Sequence, residues 1–422
     1  LAEIPREDQR PRRTLIIVED VSAPVDRRLW SEATALARAH YEVSVICPKR
    51  RKVEAIEETI DGVRVFRHPL PFRAPTFLGH LFELPIALFW EFVLSIKIAR
   101  RYGFDVLHIC NPPNIIFLIG AIYKIFARKS VLFDYRDATP KGSEERTGDR
   151  GSLVERLAFK TADLSLTINE PHRQIAIRQG MPVKRAVVLR PCPDLERLTA
   201  RQPDPLWRNS RASMVAYAGE VSKAEGLDLL MTAIDYIVHK EQRADIQFVI
   251  AGSGPEWHEI AGLCGKMELG DYVTFTGPVD DETLCTILST ADVCVDPRRV
   301  TPRNTISTSQ KIMEYMAIGK PVVQFDMVEG RLLALDASRY ARENDAIDFG
   351  KHILELLDNS EVRKIMSDFG QQRFRKELSW QREQQKLLLA YDLLFAIRAQ
   401  RLANAKQQKG RKTRNAHISK PR

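Results

Sequence analysis

Residues 304–326 read NTISTSQKIMEYMAIGKPVVQFD. The order is loop, helix, tight turn, strand. Ser307 and Thr308 are N-cap residue types, and the apolar spacing after them predicts a helix over 309–318. Gly319 suits the left-handed position that ends a helix, and Pro321 just beyond it cannot continue one. Residues 322–325 form a short apolar strand. A helix that starts in this way leaves backbone N–H groups uncovered at its mouth, where a phosphate can dock. Glu314 lies about one and a half turns further in, within reach of a hydroxyl pair beside such a phosphate. On local pattern alone the plainer account, a capped helix feeding a sheet, is preferred.

The same strand-and-helix grammar extends along the chain in both directions. Apolar β-rich runs at 15–18, 43–47, 63–66, 106–109, 131–133, 164–167 and 186–189 alternate with helical patterns such as 29–39 and 115–126. A second series follows at 214–218, 246–250, 273–275, 293–295 and 322–325. Nearly continuous apolar strands alternating with helices predict α/β architecture, with parallel sheets covered on both faces. Between the series, LTARQPDPLWRNSR at 198–211 is polar, holds two prolines and lacks helical periodicity, so it reads as a linker. The expected plan is a domain over 14–197, a linker over 198–211, a second domain over 212–378 and a helix over 379–400. Two such sheets facing a cleft would bind ligands at the carboxyl ends of their strands. The apolar run LLLAYDLLFAI in the last helix is suited to packing back on the first domain.

The formal charge is +9, but nine Lys or Arg and no acid stand between Arg398 and Arg422. The body is therefore close to neutral, which argues against a nucleic-acid-binding surface. The basic tail at 401–422 is expected to be disordered, with KGRKTR available to an anionic lipid surface. None of the six cysteines forms a CxxC pair, and several lie in strand-like apolar runs, as buried thiols of a reducing compartment do. No signal-peptide pattern is visible at the first residues, which suggests a cytoplasmic chain. Residues 81–96 come nearest to a membrane span but are short and carry Glu83, Pro85 and Glu91. Packing inside the protein, or lying on a membrane with Arg100 and Arg101 at the headgroups, are the two readings of that helix.

KIMEYMAIGKPVVQFD resembles the donor-site segment of the family-4 glycosyltransferases, retaining enzymes of the GT-B fold. Further blocks follow the order seen in bacterial members linked to surface-polysaccharide assembly: PVDRRLWSEATALARAHYEVSVICPK, FDVLHICNPPN, ADLSLTINE, PCPDLERL, GLDLLMTAI, VTFTGPV and EGRLLALDASRYARENDAIDF. The resemblance implies two Rossmann-like doubly wound domains, with a nucleotide-diphosphate sugar as co-substrate and no cofactor. It also implies a lipid-linked or saccharide acceptor at the inner face of a membrane. No convincing DxD loop or His/Cys metal spacing is present, so a metal-independent reaction is expected; DDE at 280–282 runs on into a helical pattern.

On the donor side the resemblance places the diphosphate on Ser307, Thr308 and the N–H groups of Ser309 to Lys311, and the ribose on Glu314. Gly252 and Gly254 of GSGPEW follow a strand near the nucleotide, and Gly277 and Val279 wall the base pocket. Gly219 and Lys223 belong to the loop GEVSKAEG, where relatives place an Arg and a Lys against the diphosphate and this chain has Glu220 and Glu225. Lys223, Arg298, Arg299 or Arg303 would have to compensate. Ile306 stands where many relatives carry a second Glu. On the acceptor side FDYRDATPK places Arg136 where relatives have a functional His, with Asp137 retained, and Arg136, Asp137 and Glu314 are the candidate catalytic groups. An arginine cannot act as a general base but can bind a phosphate or a sugar carboxylate. Asp26, Arg27, His108 and Asn111 complete the acceptor side, although Asp26 is more simply a helix cap. These departures motivate an alternative, a non-catalytic GT-B protein that serves as a binding or assembly partner and has lost donor chemistry; a different GT-B chemistry, such as epimerisation, would need groups that are not identified.

Overall fold

The computed structural model describes residues 11–19, 21–50, 54–69, 77–137, 153–193 and 199–418, without side chains at 77–83 and 405–418. Outside the described residues lie the end of PCPDLERL and the segment after Asp137, and the KGRKTR side chains are likewise not described. The chain divides into two compact units, Leu1–Leu189 with Gln384–Arg422, and Arg190–Glu383.

The first unit holds strands β1 (Arg13–Ile17), β2 (Glu42–Pro48), β3 (Glu57–Ile60), β4 (Val63–His68), β5 (Val106–Cys110), β6 (Ser130–Tyr135), β7 (Leu164–Thr167) and β8 (Ala186–Val188). They form one sheet in the order β3-β4-β2-β1-β5-β6-β7-β8. Every described pairing is parallel except β3 with β4. β5 and β6 are buried at every position, as central strands covered on both faces must be. β3 is an addition to the sequence reading. It pairs with β4 across Asp61 and Gly62, both at positive φ (50° and 80°), the backbone of a two-residue hairpin.

The last helix, Trp380–Ile418, leaves the second unit after Glu383 and joins the first. Leu387, Tyr391 and Leu394 are buried there. The Tyr391 hydroxyl lies 3.0 Å from His108 Nδ1 and 3.3 Å from the Thr14 hydroxyl, and Arg398 pairs with Asp105 at 2.6 Å. The segment expected to be disordered from 401 is helical as far as Ile418, continuing the same helix.

The second unit holds β9 (Ser213–Ala218), β10 (Ile246–Ala251), β11 (Val273–Gly277), β12 (Val293–Asp296), β13 (Val322–Phe325) and β14 (Ser338–Ala341). All are parallel, in the order β11-β10-β9-β12-β13-β14. The segment read as the interdomain linker, 198–211, is bonded to this unit. Arg201 and Asp204 donate backbone N–H groups to the Ser289 and Thr290 hydroxyls at 2.9 Å, and Arg208 pairs with Asp292 at 2.7 Å. Both units are thus doubly wound α/β sheets with a point where strand order reverses, between β1 and β5 in one and between β9 and β12 in the other. Ligands of such sheets bind beyond the carboxyl ends of the strands at those points.

Candidate active site

In the second unit the reversal point carries a pocket of about 270 Å³. Its walls come from the ends of β9 (Ala218, Gly219) and β12 (Arg298), from Glu225, and from the start of the Gln310–Ile318 helix. That helix is the one read from 304–326, with a correction at its mouth. The N-cap is Ser309, whose side chain makes no capping bond, so among the described residues the first-turn N–H groups at the pocket wall have no side-chain acceptor. Thr308, Ser309, Lys311 and Glu314 all line the pocket. Gly319 ends the helix at φ 83°, and the N–H of Lys320 reaches the Tyr315 carbonyl at 2.9 Å.

Ser307 does not line it. It closes the short Pro302–Ile306 helix, its hydroxyl donating to the Arg303 carbonyl at 2.8 Å. Arg303 and Lys223 are exposed and also lie outside the lining. Thr308 donates to Glu329 at 3.2 Å. Glu329 is fully buried and paired with Arg190; burial pushes its carboxyl up, against the pull of that arginine.

The charges at the pocket are matched pairwise. Lys311 is bound to Glu225 and lies 3.1 Å from Asp296. Arg298 Nε lies 3.1 Å from the other Asp296 oxygen. Asp296 is fully buried, which by itself would push its carboxyl up, yet Arg298 and Lys311 bring it down to about 2. The acid expected to repel a diphosphate, Glu225, is therefore neutralised by Lys311, and Glu220 is exposed outside the lining. Of the cations weighed as compensating for these acids, Arg298 is the one that lines the pocket. It is 5% exposed, and its Nη2 is buried without a hydrogen-bond partner among the described residues. The sequence signal available for Asp296 was only an acid at the end of an apolar strand.

GSGPEW is close to the pocket but its glycines answer to the protein's own backbone. A Cβ on Gly252 would lie 1.9 Å from the Gly219 carbonyl oxygen, and one on Gly254 2.3 Å from that of Val221. The two loops are laced together by Val221 N to Ser253 O and Glu256 N to Val221 O, both 3.0 Å. Gly277 sits at φ 71° with open space where a Cβ would be, and Val279 packs on the hydrophobic core. Asp280 of DDE is a helix cap, accepting from Thr283 N at 2.8 Å.

In the first unit the reversal point is filled by a buried ionic network. Asp26 caps the Arg27–Arg38 helix through Leu29 N at 3.0 Å and also receives Arg136 at 2.8 Å. Arg136 Nε reaches Asp134, and Nη2 lies 3.8 Å from Glu32. Arg28 spans Glu32 and Asp134, each at 2.9 Å. Arg136 is therefore held by three carboxylates at the centre of this network, with its Nη2 buried and making no hydrogen bond among the described residues. His108 is corrected: it is completely buried, bound to Tyr391, and burial lowers its pKa. Asn111, 3% exposed, props the backbone after β6, donating to the Asp137 carbonyl at 2.7 Å and accepting from Asp137 N at 3.2 Å. Asp137 is half-buried and Arg27 exposed.

Two family models match this architecture, one described as glycosyl transferase 4-like domain over residues 25–192 and one as glycosyl transferases group 1 over residues 212–359. The alpha-D-kanosaminyltransferase of Streptomyces kanamyceticus is 27% identical over 163 residues, 37% of this chain but only 39% of that protein. Among solved structures, sucrose-phosphate synthase from Thermosynechococcus elongatus superposes with a TM-score of 0.71 at 19% identity, over 91% of this chain and 99% of that one. Anabaena HepE, solved with UDP and glucose, gives 0.66 at 13% identity, over 90% and 99%. Two doubly wound units, each matched by its own glycosyltransferase model, place this chain in the family-4 glycosyltransferases of GT-B fold.

Proposed function

We propose that the protein is a retaining, metal-independent glycosyltransferase that moves a sugar from a nucleotide-diphosphate sugar to a lipid-linked or oligosaccharide acceptor. The observation that carries this reading is the uncapped mouth of the Gln310–Ile318 helix, opening into a pocket where Arg298 presents a buried, unpartnered Nη2. When the bond between the anomeric carbon and the diphosphate breaks, negative charge grows on the departing oxygen. Fixed donors aimed there stabilise that charge. The helix amides and Arg298 fill that role, Lys311 balances the acids beside them, and Glu314, half-buried on the same helix, holds the ribose diol. Retention rests on the family resemblance. UDP-sugars are the first donors to test, because HepE was solved with UDP and glucose.

A membrane-facing acceptor has support in the first unit. Leu118, Ile122, Ile125 and Phe126 are exposed on one face of the Phe117–Ala127 helix, and Leu153 and Leu157 on the neighbouring Leu153–Thr161 helix. Exposed Arg128 and Lys160 lie in the same segments. Such a surface suits an interface with anionic lipid. Among the described residues no helix is long and apolar enough to cross a membrane.

Calorimetry of the full chain with UDP- and GDP-sugars is the direct test, followed by product analysis with lipid-linked acceptors. Saturable micromolar binding, abolished by Glu314→Arg, and a product that keeps the donor's anomeric configuration are expected. One observation favours a second reading, a non-catalytic binding or assembly partner that has lost donor chemistry: Lys311 is already bound by two acids and Arg136 by three. Absence of saturable donor binding by the folded chain would select it and overturn the first reading, and micromolar binding abolished by Glu314→Arg would count against it.

A further inference from the structure

Three ligating side chains converge in the first unit, outside both reversal-point sites. Glu19 follows β1, His68 ends β4, and Glu91 lies on the Phe77–Arg101 helix. One donor atom from each lies within 4.8 Å of the others, and His68 Nε2 is 3.4 Å from Glu19 Oε2. His68 is 0% and Glu91 1% exposed. Glu19 Oε2, His68 Nε2 and Glu91 Oε1 are all buried without a hydrogen-bond partner among the described residues.

Two buried carboxylates facing each other are unfavourable unless a cation or a proton joins them. Among the described residues no Lys or Arg pairs with either one. The adjacent Arg67 is spent on Glu58, Glu54 and the carbonyls of Ala23 and Ala55. The imidazole marks the kind of cation. One nitrogen with two carboxylate oxygens suits zinc and its first-row neighbours, whereas magnesium and calcium take oxygen alone. Ligands about 2.0–2.1 Å from zinc in tetrahedral geometry stand about 3.3 Å apart, close to the His68–Glu19 separation.

We propose that Glu19, His68 and Glu91 form a site for a divalent transition-metal ion of the zinc class. The ion clasps the segment after β1, the end of β4 and the long Phe77–Arg101 helix. Three protein ligands leave a fourth position for water, reached past Glu19, whose side chain retains 12% exposure. The site is independent of the sugar-transfer reading, and its test does not use transfer activity.

The full chain is stripped with a chelator and titrated with Co²⁺ as a spectroscopic probe and with Zn²⁺ by calorimetry. One equivalent per chain is expected to bind, with visible d–d absorption. Zn²⁺ should raise the melting temperature to a plateau at one equivalent, and Mg²⁺ should not. Glu91→Gln and His68→Gln should each weaken binding at least tenfold. X-ray absorption of the zinc-loaded wild-type chain needs no variant and should show a nitrogen/oxygen shell with one imidazole. Lack of saturable binding would leave Glu19 and Glu91 sharing a proton and would overturn the proposal. So would sulfur in the shell, or unchanged affinity in both variants.

Discussion

At the second unit's pocket, Asp296 holds Arg298 and Lys311 in register, and Arg298 keeps one guanidinium nitrogen unclaimed. That division of labour separates the two cations. Lys311 balances Glu225 and Asp296, whereas Arg298 has donor capacity left for a ligand. Arg298→Ala is therefore expected to weaken binding of a UDP-sugar by about ten- to a hundredfold, in line with the loss of a hydrogen bond to a charged group. Isothermal titration measures it, and unchanged affinity would place the diphosphate elsewhere. In the proposed function Glu314 holds the ribose instead. Glu314→Gln keeps size and hydrogen-bonding atoms but loses charge, and should cut transfer at least tenfold with an unaltered circular dichroism spectrum. Turnover equal to wild type would remove Glu314 from the site. Glu314 was readable from helix spacing, and Lys311 only through the family resemblance. Arg298 was weighed only as one of several cations, because its decisive property, a buried unpartnered nitrogen, exists only once Asp296 and Ser307 stand beside it.

At the scale of elements, glycine shows how a motif can mislead. GSGPEW looks like a nucleotide loop, but the Gly252 position is demanded by the Gly219 carbonyl oxygen. Gly252→Ala, at φ 133° and with a Cβ 1.9 Å from that oxygen, should cost on the order of 2–4 kcal/mol. Gly277→Ala meets open space and bears only a left-handed backbone, about 1–2 kcal/mol. Urea denaturation of the two variants should separate them in that order, and equal midpoints would contradict the packing account. A different lesson comes from the apolar helices of the first unit. Residues 81–96 drew attention through their apolar run, yet Ala87, Glu91, Ser95 and Ile98 of that helix are buried. Phe89 and Val93 of that helix are exposed, at 60% and 37%, and Phe117–Ala127 exposes more, with Ile125 and Phe126 at 70% and 82%. Ile125→Asp with Phe126→Asp should lower co-sedimentation with anionic vesicles severalfold without changing the fold, and undiminished co-sedimentation would count against that face.

For the whole molecule, twelve of the strands were legible because they are buried apolar runs. The exceptions, β3 (EETI) and β14 (SRYA), are polar edge strands that a period-of-burial reading passes over. The network at the first unit's reversal point was not legible, since Arg28, Glu32, His108, Asp134 and Arg136 meet only through the sheet's crossovers. That network has a measurable pH signature. Burial first, then Asp134, push Glu32 up to about 7 from its ordinary value of 4.5, against Arg28 and Arg136. Asp134, although buried, is held well below its ordinary value by the same two arginines. The signs are opposite. Between pH 4.5 and about 7 the folded chain keeps a proton on Glu32 that the unfolded chain has released, so stability falls as pH rises through that window and is level above it. Asp134, and Asp296 in the other unit, act at the acid end, where stability is lost as pH falls below about 3.8. Glu32→Gln, which mimics the protonated carboxyl, should therefore match the wild type near pH 4.5 and exceed it at pH 8 by on the order of 2–3 kcal/mol. Melting temperatures of the two proteins across that range decide the matter. Curves that run parallel from pH 4.5 to 8 would mean that Glu32 is ionised throughout and that Arg28 and Arg136 outweigh its burial.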